Sequence, residues 1–218
     1  LGQFLATRPD VVGREIATDL TALQDQIPSF GMEEAKRVIE SHFGRPVEQL
    51  FASFEEPVAA ASIAQVHPAE IEDADGTRRK VAVKVLRPGV AERFRRDLKS
   101  YYLMARLMER FHPPSRRLRP VAVVDTLARS VELEMDFRLE AAALSEMAEN
   151  TRDDPGFRVP EVNWTRTAKA VLTMEWISGR KLSDVAGIEA DGHDLPAIGA
   201  LVMQTFLRHA VRDGFFHA

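Results

Sequence analysis

The sequence predicts an α+β fold: a five-stranded antiparallel sheet with inserted helices, a helical extension before it and a partial helical lobe after it. Three observations lead there. The run Val81-Ala82-Val83-Lys84-Val85-Leu86 is β-branched and apolar on both faces, while apolar side chains recur at helical spacing before and after it. The chain is also large enough for a substantial core, with 218 residues of which 45% are hydrophobic and 28% charged.

The elements follow in order. From the cap at Asp10 to about residue 26, Val12, Ile16, Leu20 and Leu23 mark a first helix that ends at Ile27-Pro28. A second spans 32–43 and closes at Gly44-Arg45-Pro46. Strands are expected over 50–54, 63–71 and 80–86, with Asp73-Ala74-Asp75-Gly76 turning between the last two. After Pro88-Gly89 comes a helix with Val90, Phe94, Leu98, Tyr101, Ala105 and Met108 on one stripe, then a loop over 112–120. One long helix is predicted over 121–150, and two further strands over 161–164 and 170–176. Helices near 182–186 and over 195–212 complete the chain, giving an extension (1–46), a sheet-containing lobe (47–177) and the start of a helical lobe (178–218).

Composition excludes several classes. A formal net charge of −4 and the lack of a nucleic-acid motif argue against a nucleic-acid partner. With no cysteine, disulfides, thiolate catalysis and Cys-type zinc sites are impossible. The six histidines show no metal-site spacing, and no apolar run is long enough to cross a bilayer. The expected location is cytoplasmic, or peripheral to a membrane. Leu1 in place of methionine and the ending Phe215-Phe216-His217-Ala218 suggest that both ends lie inside a longer protein.

Three stretches carry chemistry. In a strand, Lys84 shares a face with Ala82 and Leu86, a lone cation among apolar neighbours. Either it snorkels to water at the strand end, or a carboxylate or phosphate meets it. On a continuous helix Asp136 and Glu140 share a face while Glu134 points some 120° away, so the acids are either a solvated surface or address two environments. Ala59, Ala60, Ala61 and Ser62 place small residues at a turn, which permits close approach of a ligand to backbone amides or forms a plain linker. Basic clusters at Arg93, Arg95, Arg96 and Lys99, and at Arg116, Arg117 and Arg119, form either a solvated face or a contact with anionic lipid headgroups.

The order of these parts, strand, small-residue loop, strand, Val-Ala-Val-Lys strand, then a helix with a glutamate, resembles a protein-kinase amino-terminal lobe. The details resemble the UbiB family of atypical kinases tied to ubiquinone biosynthesis. Leu1-Gly2-Gln3 is similar to the end of its Lys-x-Gly-Gln motif, Ala59 to Ser62 to its alanine-rich loop, and Glu134-Met135-Asp136 to its Glu-x-Asp motif. The resemblance implies ATP and Mg²⁺ as cofactors, with Lys84 on the nucleotide phosphates and Glu140 orienting Lys84. It further implies that the amides of Ala60 to Ser62 cover the phosphates, that backbone groups near Glu175 and Ile177 take the adenine edge with Met174 behind it, and that Gln3 lies near Glu134 and Asp136 across the cleft mouth. Implied partners are nucleotide, a lipid or quinone intermediate at a membrane surface, and quinone-biosynthesis proteins.

The Gly-x-Gly-x-x-Gly loop of ordinary kinases is missing. Phe215-Phe216-His217-Ala218 resembles the start of the family's catalytic loop, so its aspartate and the Mg²⁺ ligands are expected beyond this chain. The polypeptide as written is therefore expected to have little phosphotransfer activity. Two rivals remain: a small-molecule phosphotransferase, which does not account for Leu1-Gly2-Gln3 with Glu134 and Asp136, and a non-catalytic nucleotide-binding or scaffold protein in which Lys84 and Glu140 are only a buried pair.

Overall fold

In this computed structural model the described residues are Gly13 and 28–214. Gly13 apart, the helix expected over 10–26 lies outside them, as do Leu1-Gly2-Gln3 and residues 215–218. Helix α1 (Met32–Phe43) runs over the expected span and stops where Gly44 takes a left-handed conformation, its amide donating to the Glu40 carbonyl. After a 3₁₀ turn at Val47–Gln49 come β1 (Ser53–Phe54), β2 (Ala59–Ala60), β3 (Ala64–Glu72) and β4 (Arg78–Leu86). Helix α2 (Val90–Phe111), a 3₁₀ segment (Pro113–Leu118), α3 (Pro120–Glu134) and α4 (Phe137–Asn150) follow. Strand β5 (Val171–Glu175), α5 (Val185–Ala190), α6 (Leu195–Arg208) and a π-helical turn (His209–Asp213) close the described chain.

The sheet is antiparallel and has five strands, in the order β1-β3-β4-β5 with β2 also on β3. Its membership differs from the expectation. Residues 161–164 contribute only a single bridge, Val162 to Met174, because the chain curls into a 3₁₀ turn at Trp164–Arg166. The fifth strand is Ala59–Ala60, inside the segment expected to be a loop. Residues 52–61 in fact form one bulged edge: the amides of Ala52, Glu55, Val58 and Ala61 donate to the carbonyls of Glu70, Pro68, Val66 and Ala64. Three residues of this edge oppose two of β3 at each step, which keeps Pro57 away from the bonded amides.

Strand β4 is covered on both sides. Val81, Val83 and Val85 are at most 3% exposed and pack with Ala35 and Ile39 of α1, with Leu50 and with Phe51. The opposite face meets α4, where Phe137 and Ala141 pack on Ala64 and Leu172.

The helix expected over 121–150 is broken at Met135–Asp136. Asp136 is extended (φ −120°, ψ 92°) and caps α4, its carboxylate accepting from the Arg138 amide. The amide of Phe137 donates to the Lys169 carbonyl at 2.9 Å, tying the new helix to the approach of β5. Glu134, Asp136 and Glu140 therefore do not share one helix, and the 120° argument does not apply to them.

Candidate functional site

Strand alternation and helix spacing together build the site. The register places Val66, Lys84 and Leu172 in one row across the sheet, and Ala59 pairs with Val66 at the edge of the same row. From α4, Phe137, Glu140 and Ala141 present the i, i+3, i+4 face to that row. The Lys84 ammonium lies 2.8 Å from both Glu140 oxygens and 4.8 Å from the centroid of the Phe137 ring. The lysine side chain is 24% exposed and the glutamate 38%, so the pair sits at the boundary between core and solvent. Of the two readings of Lys84, the structure selects the paired one. An ammonium has three N–H groups and Glu140 takes two; the third is available to an anion on the open side.

The other expected residues fall into two groups. Met174 packs at the margin of the cluster formed by Phe137, Leu172 and Ala64, on the Lys84 face. Ala59 and Ala60 are edge strand, and Ser62 with Ile63 forms the tip of a tight hairpin. The Ala61 amide donates to Ala64 at 2.7 Å, so a ligand at this loop competes with the hairpin for it. The Glu175 amide donates to Glu161 and its carboxylate meets Arg158 at 2.9 Å, which holds that carboxyl below its usual range. Ile177 is 44% exposed. Away from the pair, Glu134 is exposed, and the Asp136 carboxylate is gripped by Arg138 at 2.9 and 2.6 Å, which also lowers its pKa. Gln3 lies outside the described residues.

Sequence reasoning missed Phe137, Arg138 and Arg158. The signal for Phe137 was present: Phe137, Glu140, Ala141 and Leu144 recur at helical spacing, and Phe137 is fully buried. A hollow of about 620 Å³ lies elsewhere, between Arg79, Lys80, Glu161, Trp164, Glu175 and Trp176; neither Lys84 nor Glu140 lines it. Among the described residues no group of three His, Asp or Glu side chains is arranged to hold a metal ion. None of their helices is long and apolar enough to cross a membrane.

The family model described as "ABC1 atypical kinase-like domain" matches residues 22–218. The chain is 39% identical over 218 residues to the "Probable protein kinase UbiB" of Marinobacter nauticus, and 39% identical over 219 residues to that of Xanthomonas oryzae pv. oryzae. The protein of the same name from Azotobacter vinelandii is 39% identical over 218 residues. Each alignment takes in 100% of this chain but only 39% or 40% of the relative's length.

Proposed function

Because the chain belongs to the ABC1 atypical kinase-like domain family, we propose that it provides the ATP-binding small lobe of a UbiB-type kinase or ATPase that serves ubiquinone biosynthesis. The reading is carried by one contact, the 2.8 Å bidentate meeting of Lys84 with Glu140. A half-buried ammonium held by a carboxylate keeps a fixed position and one free donor, which suits a phosphate oxygen. In this reading Lys84 binds the nucleotide phosphates, Glu140 orients it, and the Phe137 ring lies beside its ammonium. Ala59 to Ser62 close over the phosphates, while Met174 and the backbone from Glu175 to Ile177 frame the base. Bound ATP would supply the transferable phosphoryl group. Mg²⁺ would come with it, its ligands lying beyond the residues described.

The test is thermal unfolding of the full-length protein with and without an ATP analogue. A ligand at about a hundredfold excess over Kd stabilises the folded state by roughly 2.7 kcal/mol, on the order of 5–10 °C for a domain of this size. We expect that rise in the wild type, its loss in Lys84→Ala and a reduction in Glu140→Gln. A wild type whose unfolding ignores the nucleotide would leave Lys84 and Glu140 as a structural pair only.

A further inference from the structure

Arg87 directly follows β4, three residues past Lys84, and strand alternation sends the two side chains to opposite faces of the sheet. Its guanidinium lies 5.2 Å from the centroid of the Phe30 ring, in the layer where Phe30 packs with Ile39, Val83 and Val85. From there Nη2 donates to two carbonyls, that of Pro28 at 3.0 Å and that of Ala61 at 3.3 Å. The Arg87 amide also donates to the Ile63 carbonyl at 2.7 Å, so backbone and side chain together grip the alanine hairpin. The platform beneath the guanidinium is firm. Gln65, which pairs with Ala60 and Val85, bonds the Phe30 amide at 2.9 Å and its carbonyl at 3.1 Å. Arg87 Nε is a buried donor that finds no acceptor among the described residues, a cost that calls for a compensating task.

The grip on Ala61 has a directional consequence. A trans peptide is planar, with its C=O and N–H pointing opposite ways. By drawing the Ala61 carbonyl toward the Phe30 side, Arg87 turns the Ser62 N–H toward the side of the sheet that carries Lys84. That N–H is unclaimed: among the described residues neither it nor the Ile63 amide has an acceptor, whereas the Ala61 amide is engaged by Ala64.

We propose that Arg87 is a positioning residue for the nucleotide, holding the Ala61–Ser62 peptide so that the Ser62 N–H donates to a phosphate oxygen. This rests on the reading of Lys84 as the phosphate-binding lysine. Two donors then converge on the phosphates, the third N–H of Lys84 from the sheet and the Ser62 amide from the hairpin. Both are set by one stretch of chain, 84–87. Arg87 itself touches no phosphate, because its guanidinium stays on the Phe30 side. The small side chains of Ala59 to Ser62 leave the approach to that amide open.

Calorimetric titration of the full-length protein with a non-hydrolysable ATP analogue and with adenosine tests this. Arg87→Met keeps an unbranched apolar stem against Phe30 and removes the donors. It should weaken the analogue by about tenfold or more, the loss of one hydrogen bond to an ionised acceptor, and leave adenosine within about twofold. The deficit should persist at about 0.5 M salt, where loss of a distant positive charge is screened. A second measurement needs no variant: in the wild type, hydrogen exchange at the Ser62 amide should slow with the analogue and not with adenosine. Unchanged affinity of Arg87→Met for the analogue, an equal loss for adenosine, a deficit that vanishes in salt, or a Ser62 amide indifferent to the analogue would each overturn the role of Arg87 alone. A wild type that binds neither compound would overturn the nucleotide reading and this role with it.

Discussion

His67 is fully buried, and its ring nitrogens fix its state. Nδ1 lies 2.8 Å from the Glu55 carbonyl, which can only accept, so Nδ1 carries the proton and Nε2 accepts from the Gln65 amide group at 2.9 Å. The Gln65 side chain in turn bonds both the amide and the carbonyl of Phe30, and the imidazole stacks on Phe54 at 4.5 Å. Burial holds the His67 pKa below its ordinary value of 6.5. The unfolded chain therefore takes up a proton as pH falls through about 6.5 while the folded one does not, and stability declines with acid until folded His67 itself titrates. Urea unfolding between pH 7.5 and 5.5 should show a smaller decline for His67→Leu than for the wild type; parallel curves would rule the coupling out.

Among the elements, the break between α3 and α4 matters most for the site, because it lets α4 start afresh and bring Phe137 and Glu140 against β4. Removing the cap in Asp136→Ala should cost about 1 kcal/mol. Chemical denaturation would register it, and an unchanged midpoint would mean that the Phe137–Lys169 backbone bond alone sets the helix start. Sequence alone reveals part of this arrangement. Lys84 stands out because a cation inside a β-branched run needs a partner, and α1 and β4 follow their apolar periods closely. The helix break is hidden because residues 121–150 contain neither Gly nor Pro to mark it, and Asp136 acts as a cap only once Phe137 has a core to enter. The alanine edge is hidden for the opposite reason: Ala59 and Ala60 have weak strand preference, and β3 supplies the partner that overrides it. Glu140 could be assigned to Lys84 only through the order of the parts, since 56 residues separate them.

Across the whole molecule, Asp154 joins the end of α4 to the last helical turn. Its carboxylate is 7% exposed and meets Arg212 at 2.8 and 3.1 Å and Arg208 at 3.2 Å, with His209 at 3.7 Å. The Arg212 guanidinium holds the carboxyl below its usual range. That contribution is full above the unfolded pKa of about 3.9 and disappears as pH falls through the lower folded value. The stability gap between wild type and Asp154→Asn should thus be widest between about pH 5 and 7 and narrow as pH falls below the unfolded value of about 3.9. A gap that persists in strong acid would point to packing rather than charge.

Strand β4 adds a consequence of its own. A slip of one residue against β3 or β5 would turn the ammonium of Lys84 into the aliphatic layer beneath α1 and push three valines toward the open side. Both errors are penalised at once, so the side chain that meets Glu140 also guards the alignment of the strand that carries it.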